Sequence, residues 1–85
     1  MIWNLLITAS TKKQLSKLPR SDFYKVSHSI DKLRINPFIF NTKKLLAKDG
    51  TRRLRVGSYR IFFELFQKEK AIFIFNIERR TSTTY

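Results

Sequence analysis

Arg53-Leu54-Arg55-Val56-Gly57-Ser58-Tyr59-Arg60-Ile61-Phe62-Phe63-Glu64-Leu65 is the stretch that decides the fold. Leu54 and Val56 alternate with Arg53 and Arg55, the period of two expected of a strand with one buried and one solvent face. Gly57-Ser58 is a hairpin turn signal. The apolar run after it predicts a strand from Tyr59 to about Phe66, then a turn over Gln67 to Lys70 and a strand from Ala71 to about Glu78. These segments make an antiparallel meander with arginines set into it.

Upstream, Ile2 to Thr8 is apolar except for Asn4 and too short for a comfortable helix, so it is predicted as a first strand. Thr8, Ser10 or Thr11 can cap a short helix whose Leu15 and Leu18 share a face, and Pro19 ends it. Ser21 is predicted as the next N-cap, with Asp22 favourable to the helix dipole. Phe23, Val26, Ile30 and Leu33 recur at helical spacing, and the helix is expected to reach Ile35 and stop before Asn36-Pro37. Phe38 to Lys48 is read as a mixed connection whose Ile39, Phe40, Leu45 and Leu46 tuck into the core edge, and Asp49-Gly50 as a turn. The order is therefore β-α-α-β-β-β: an N-terminal strand, a two-helix hairpin and an antiparallel meander, an α+β fold in one domain over residues 1–85. Phe62, Phe66, Phe73 and Phe75 are assigned mostly to the core.

The charge has to be carried on that folded surface. The 85 residues hold 18 Lys plus Arg against 6 Asp plus Glu, a formal +12 at pH 7. With 42% hydrophobic residues and eight Phe, disorder is not expected. A cationic excess of this size is tolerated most easily when a polyanion or an acidic partner covers it, and nucleic acid is the first candidate. No apolar run approaches the roughly 20 residues that span a bilayer, so no membrane role is expected. No signal peptide is expected either. The absence of cysteine excludes thiolate metal sites and a Cys nucleophile and fits a cytoplasmic location.

Arg53, Arg55, Arg60 and Arg79, with Tyr85, are the constellation of most interest. Guanidinium pairs bidentately with phosphate and stays charged, so arginine can hold a scissile phosphate but is a poor proton acceptor. Two readings stand: a phosphate-binding surface, or ordinary solvation of the open face of a half-buried sheet. Lys12, Lys13 and Lys17 on the first helix, and Lys43, Lys44 and Lys48 in the connection, are read first as solvated faces that add to the field. His28 lies off the apolar stripe and is expected on the surface. The six carboxylates show no paired spacing suited to Mg²⁺, so no metal or other cofactor is expected.

Lys43-Lys44-Leu45, then a glycine, then Arg53-Leu54-Arg55-Val56-Gly57-Ser58-Tyr59-Arg60-Ile61, then Arg79-Arg80 ahead of a terminal Tyr85, resembles the RelE/ParE superfamily of toxins from toxin–antitoxin systems. The likeness covers nearly the whole chain. In the RelE branch it implies a ribosome-dependent endoribonuclease that cleaves mRNA through the substrate's own 2′-OH without metal, inhibits translation and is neutralised by a small acidic antitoxin. In the ParE branch it implies a non-enzymatic inhibitor of DNA gyrase. A catalytically inactive RNA- or antitoxin-binding module is a further alternative. Carried over by position, the catalytic set is Arg60, Arg79 and Tyr85, and the RNA-binding set Arg52, Arg53, Arg55, Lys43, Lys44 and Arg80. Thr51 stands where the family can place a lysine suited to proton transfer.

Overall fold

The computed structural model describes residues 2–39, 42–44 and 51–79. Its elements run β1 (Asn4–Ile7), α1 (Ala9–Ser16), α2 (Arg20–Ile35), β2 (Thr42–Lys44), β3 (Thr51–Val56), β4 (Tyr59–Phe66) and β5 (Ala71–Arg79). The predicted α+β architecture is present, and β3, β4 and β5 form the predicted meander. The sheet has five strands in the order β1-β5-β4-β3-β2, with β1 parallel to β5 and every other pair antiparallel.

Alternation in β4 is strict. Tyr59, Ile61, Phe63 and Leu65 are buried, and they join Leu54, Ile72, Ile74 and Ile77 from the neighbouring strands with Val26, Ile30 and Leu33 of α2 in one core. The helical stripe read from the sequence is thus what covers one face of the sheet, with Leu15, Leu18 and Ile39 packed at its margin. Phe40, Leu45, Leu46 and the Asp49-Gly50 turn lie outside the described residues.

The helix ends follow local chemistry. Thr8 caps α1, its hydroxyl accepting from the Thr11 backbone N–H at 3.2 Å and donating to the buried Thr11 hydroxyl at 2.6 Å. At α2 the expectation of a Ser21 cap is corrected. Pro19 holds the cap position without a side-chain hydrogen bond, and Ser21 falls inside the first turn. The φ of −54° at Pro19 is already close to helical, so the ring starts the helix two residues sooner.

A second correction concerns the connection. Thr42–Lys44 is a three-residue edge strand pairing with β3, too short and too lysine-rich to show a period in the sequence. Lysine on such an edge also discourages pairing with another chain. The β3–β4 turn is as predicted: Gly57 has φ +56° and Ser58 does not share the positive value, the pattern of a II′ hairpin turn with glycine first.

Two devices finish β5. Pairing with β1 ends at Ile7↔Ile74, and α1 takes over along the strand. There the Gln14 side chain accepts from the Ile77 backbone N–H at 3.0 Å, satisfying that donor on the exposed ladder edge, and donates to the Asn76 side chain at 3.2 Å. Between Phe62 and Phe63 the register against β5 shifts, from Phe62↔Asn76 to Phe63↔Ile74, leaving Phe75 as a bulge residue.

Candidate phosphate-binding site

Residues directly opposed on paired strands share a face of the sheet, so the register sorts the cations. On the face turned away from α2, Arg55 is opposite Arg60, and Arg60 is opposite Glu78 on its other side. One step along, Lys43, Arg53, Phe62 and Asn76 form the next row, and beyond it Thr51, Glu64, Phe73 and Leu6 form another. Arg53 and Arg60 are half-buried among these neighbours, whereas Arg55 is exposed. Like charges directly opposite one another destabilise a ladder, and Glu78, opposite Arg60 on its other side, offsets part of that cost.

The other cations go elsewhere, and of the constellation of Arg53, Arg55, Arg60 and Arg79 only the first three share a face. Arg52 is opposite Phe63 on the helix side, where its guanidinium donates to the Thr42 hydroxyl at 3.2 Å and lies 5.2 Å from the Phe38 ring centroid. A strand of period two must turn Arg52 away from Arg53. Lys44, opposite Arg52, shares that side.

Arg79 is paired with Tyr59 and therefore also faces the helix side, with its guanidinium 5.8 Å from the Tyr59 ring centroid. Arg60 and Arg79 thus reach the same end of the sheet, beside the Gly57-Ser58 turn, from opposite faces. Arg80 and Tyr85 lie outside the described residues. His28 is exposed on α2, as expected.

Around Arg79 there is a recess of about 210 Å³ lined by Asp22, Lys25, Val56, Gly57, Ser58 and Tyr59. Tyr59 is buried, and its hydroxyl donates to the Asp22 carboxylate at 2.8 Å, tying the first turn of α2 to β4. That hydrogen bond, then burial and the Asp22 charge, raises the phenol above its usual value, against a smaller opposing effect of Arg79. No feature of the sequence joined Tyr59 to Asp22, because they meet only across the packed layers.

Tyr59→Phe is expected to lower stability by about 1–2 kcal/mol at neutral pH, the worth of one hydrogen bond to a carboxylate. Because the folded protein holds the phenolic proton more tightly than the unfolded chain, this contribution is complete below the unfolded value near pH 10 and is lost as pH rises through the raised one. Urea unfolding of both proteins should therefore show a gap that narrows on the alkaline side. A gap independent of pH would refute this account of Tyr59.

The fourth group of residues overturns an expectation. Phe62, Phe66, Phe73 and Phe75 are not core residues. Phe62 and Phe73 lie on the face away from α2 by register, and Phe75 and Phe66 are 37% and 43% exposed. Phe75 lies 6.5 Å from both the Phe62 and the Phe73 ring centroids. The core is filled instead by Trp3, Tyr59, Phe63 and aliphatic side chains, and the outward phenylalanines form an aromatic row next to the arginines.

A five-stranded sheet backed by two helices, with cations concentrated at one end of the face turned away from α2, defines a small basic α+β protein. Residues 5–83 match the model of the ParE toxin of type II toxin–antitoxin systems, parDE. RelE1 of Methanocaldococcus jannaschii, a candidate toxin, is 31% identical over 83 residues, which cover 94% of this chain and 92% of that one. The archaeal RelE–RelB complex of Pyrococcus horikoshii superposes with a TM-score of 0.85 at 25% identity, covering 98% of this chain and all of its counterpart. The RelBE2 toxin–antitoxin complex of Mycobacterium tuberculosis gives 0.81 at 22% identity over 94% of this chain and all of its counterpart, a likeness of fold. The chain belongs to the RelE/ParE superfamily of type II toxin–antitoxin toxins.

Proposed function

We propose that this chain is a RelE-like toxin that cleaves mRNA on the ribosome and so inhibits translation in the cytoplasm, with no metal or other cofactor taking part. The observation that carries the proposal is the Arg55↔Arg60 pair beside Arg53 on the face turned away from α2, a set of guanidinium groups suited to a phosphodiester. In the reaction the 2′-oxygen loses its proton and bonds to the adjacent phosphorus while the bond to the 5′-oxygen breaks, and the departing 5′-oxygen takes up a proton, giving a 2′,3′-cyclic phosphate and a 5′-hydroxyl. Negative charge grows on the non-bridging oxygens, and Arg60, supported by Arg53 and Arg55, is placed to stabilise it. Arg79 and Tyr85 complete the proposed catalytic set, with Arg79 approaching from the far side of the sheet end. Arg52, Lys43, Lys44 and Arg80 contribute to the field that attracts RNA. The proton of the 2′-OH has to leave to a group other than arginine, and Tyr85 or its neighbourhood is the proposed region.

The relatives assembled with antitoxins support a second partner, a small acidic antitoxin that docks on this chain and blocks the Arg60 region. The match to the ParE model favours one rival, a gyrase inhibitor that breaks no bond. Primer extension on a translated mRNA after addition of the purified chain decides between them. Cleavage within codons occupying the ribosome is the expected result; intact mRNA together with blocked gyrase supercoiling would establish the rival.

A further inference from the structure

Beside the arginines, the open face carries something that phosphate binding alone does not require. Arg53 is directly opposite Phe62, and Phe62, Phe75 and Phe73 follow one another at 6.5 Å between centroids with interplanar angles of 34° and 30°. These rings run from β4 across β5, away from β3, where Arg53 and Arg55 lie. The face is therefore cationic on β3 and aromatic across β4 and β5, with Arg60 and Glu64 on either side of Phe62 and Glu78 on β5 beside Arg60.

Single-stranded nucleic acid has the same division, with charged phosphates along one edge and flat apolar bases along the other. Proteins that bind such strands combine a positive track with aromatic faces on which bases stack. An open antiparallel sheet carrying aromatics is one established way to present them. The rings of this chain are held by the sheet pleat, which places Phe73 and Phe75 opposite to the buried Ile72 and Ile74, so little side-chain freedom is lost on binding.

We propose that Phe62 and Phe75, with Phe73 beside them, form a base-stacking platform for the single-stranded RNA that flanks the phosphate held by Arg60 and Arg53. The platform rests on the reading of this face as an RNA site and adds the residues that bind bases. It reads the π-face of a base and not its edge, so it tolerates most sequences. Arg53 carries a phosphate, while Phe62 and Phe75 carry bases.

The test is direct binding of the full chain to a short single-stranded RNA containing 2-aminopurine, followed by fluorescence over a salt series. Phe75→Leu and Phe62→Leu should each weaken binding by about tenfold, the size expected for one stacked base, and leave the slope of log affinity against log salt unchanged. Phe75→Tyr keeps an aromatic face and should keep the affinity. Arg53→Gln should reduce the slope by about 0.7, as loss of one phosphate contact requires. All three rings lie outside the core, so unchanged thermal melting of each variant is the expected control.

Unaltered RNA affinity in the Phe62→Leu, Phe75→Leu double variant overturns the platform. So does a loss confined to binding of the co-encoded antitoxin, which would make the row a protein interface. Leucine preserves apolar contact but not stacking, so equal behaviour of Phe75→Leu and Phe75→Tyr would also reject it. No step of this assay involves cleavage. If mRNA proves intact in primer extension while the ring variants lose RNA, the ribonuclease reading fails and the platform stands; cleavage with unaltered RNA binding gives the converse.

Discussion

Arg60→Ala is expected to slow cleavage of a translated mRNA by about 10²- to 10³-fold, the usual consequence of removing one preorganised donor from a developing oxyanion. Arg60 lies between Arg55 and Glu78 in the ladder, with its side chain on the face opposite the core. Truncation removes a like-charge neighbour of Arg55 and an opposite-charge neighbour of Glu78 together, so the melting temperature should hold. The loss should appear in kcat more than in KM, because a charge that grows only at the transition state is what the guanidinium answers. Arg79→Ala should produce a smaller loss, since Arg79 is on the helix side against Tyr59 and reaches the sheet end indirectly. Single-turnover cleavage by both variants on programmed ribosomes measures the two effects. Full activity of Arg60→Ala would remove the oxyanion role from this face and leave the gyrase-directed reading.

The meander was legible because its signals are local. Alternation of Leu54 and Val56 with arginine, the Gly57-Ser58 turn and the α2 stripe each depend on residues a few positions apart. What could not be read depends on register across strands. The sequence period places Arg53, Arg55 and Arg60 without saying that Arg55 and Arg60 meet, and it cannot show that Arg79 pairs with Tyr59 and so turns from Arg60. The four outward phenylalanines were misassigned for a related reason. Hydrophobicity favours burial of each one, but a sheet covered by helices on one side has room for only half of every strand, and in β4 and β5 both faces carry apolar side chains, so no polar alternation marks which half faces out. β2 escaped notice because three residues carry no measurable period.

Phe62 and Phe63 test that division of the sheet most sharply, because adjacent side chains have opposite tasks. Phe63 is fully buried, opposite Ile74 and Arg52, at the centre of the core. Phe63→Ala removes most of a benzyl group from a close-packed site whose rigid β-sheet surroundings cannot collapse into the space, so the cost is expected to be about 3–5 kcal/mol. A domain of this size has about 5–15 kcal/mol in total, and the variant should therefore melt far below the parent and unfold in much less urea. Phe62→Leu, one residue away, should melt with the parent, since its ring lies on the uncovered face. Circular dichroism melts of the two variants decide it. Comparable destabilisation by both substitutions would mean that the open face is packed like the core, and the aromatic row could not then be a surface free to receive bases.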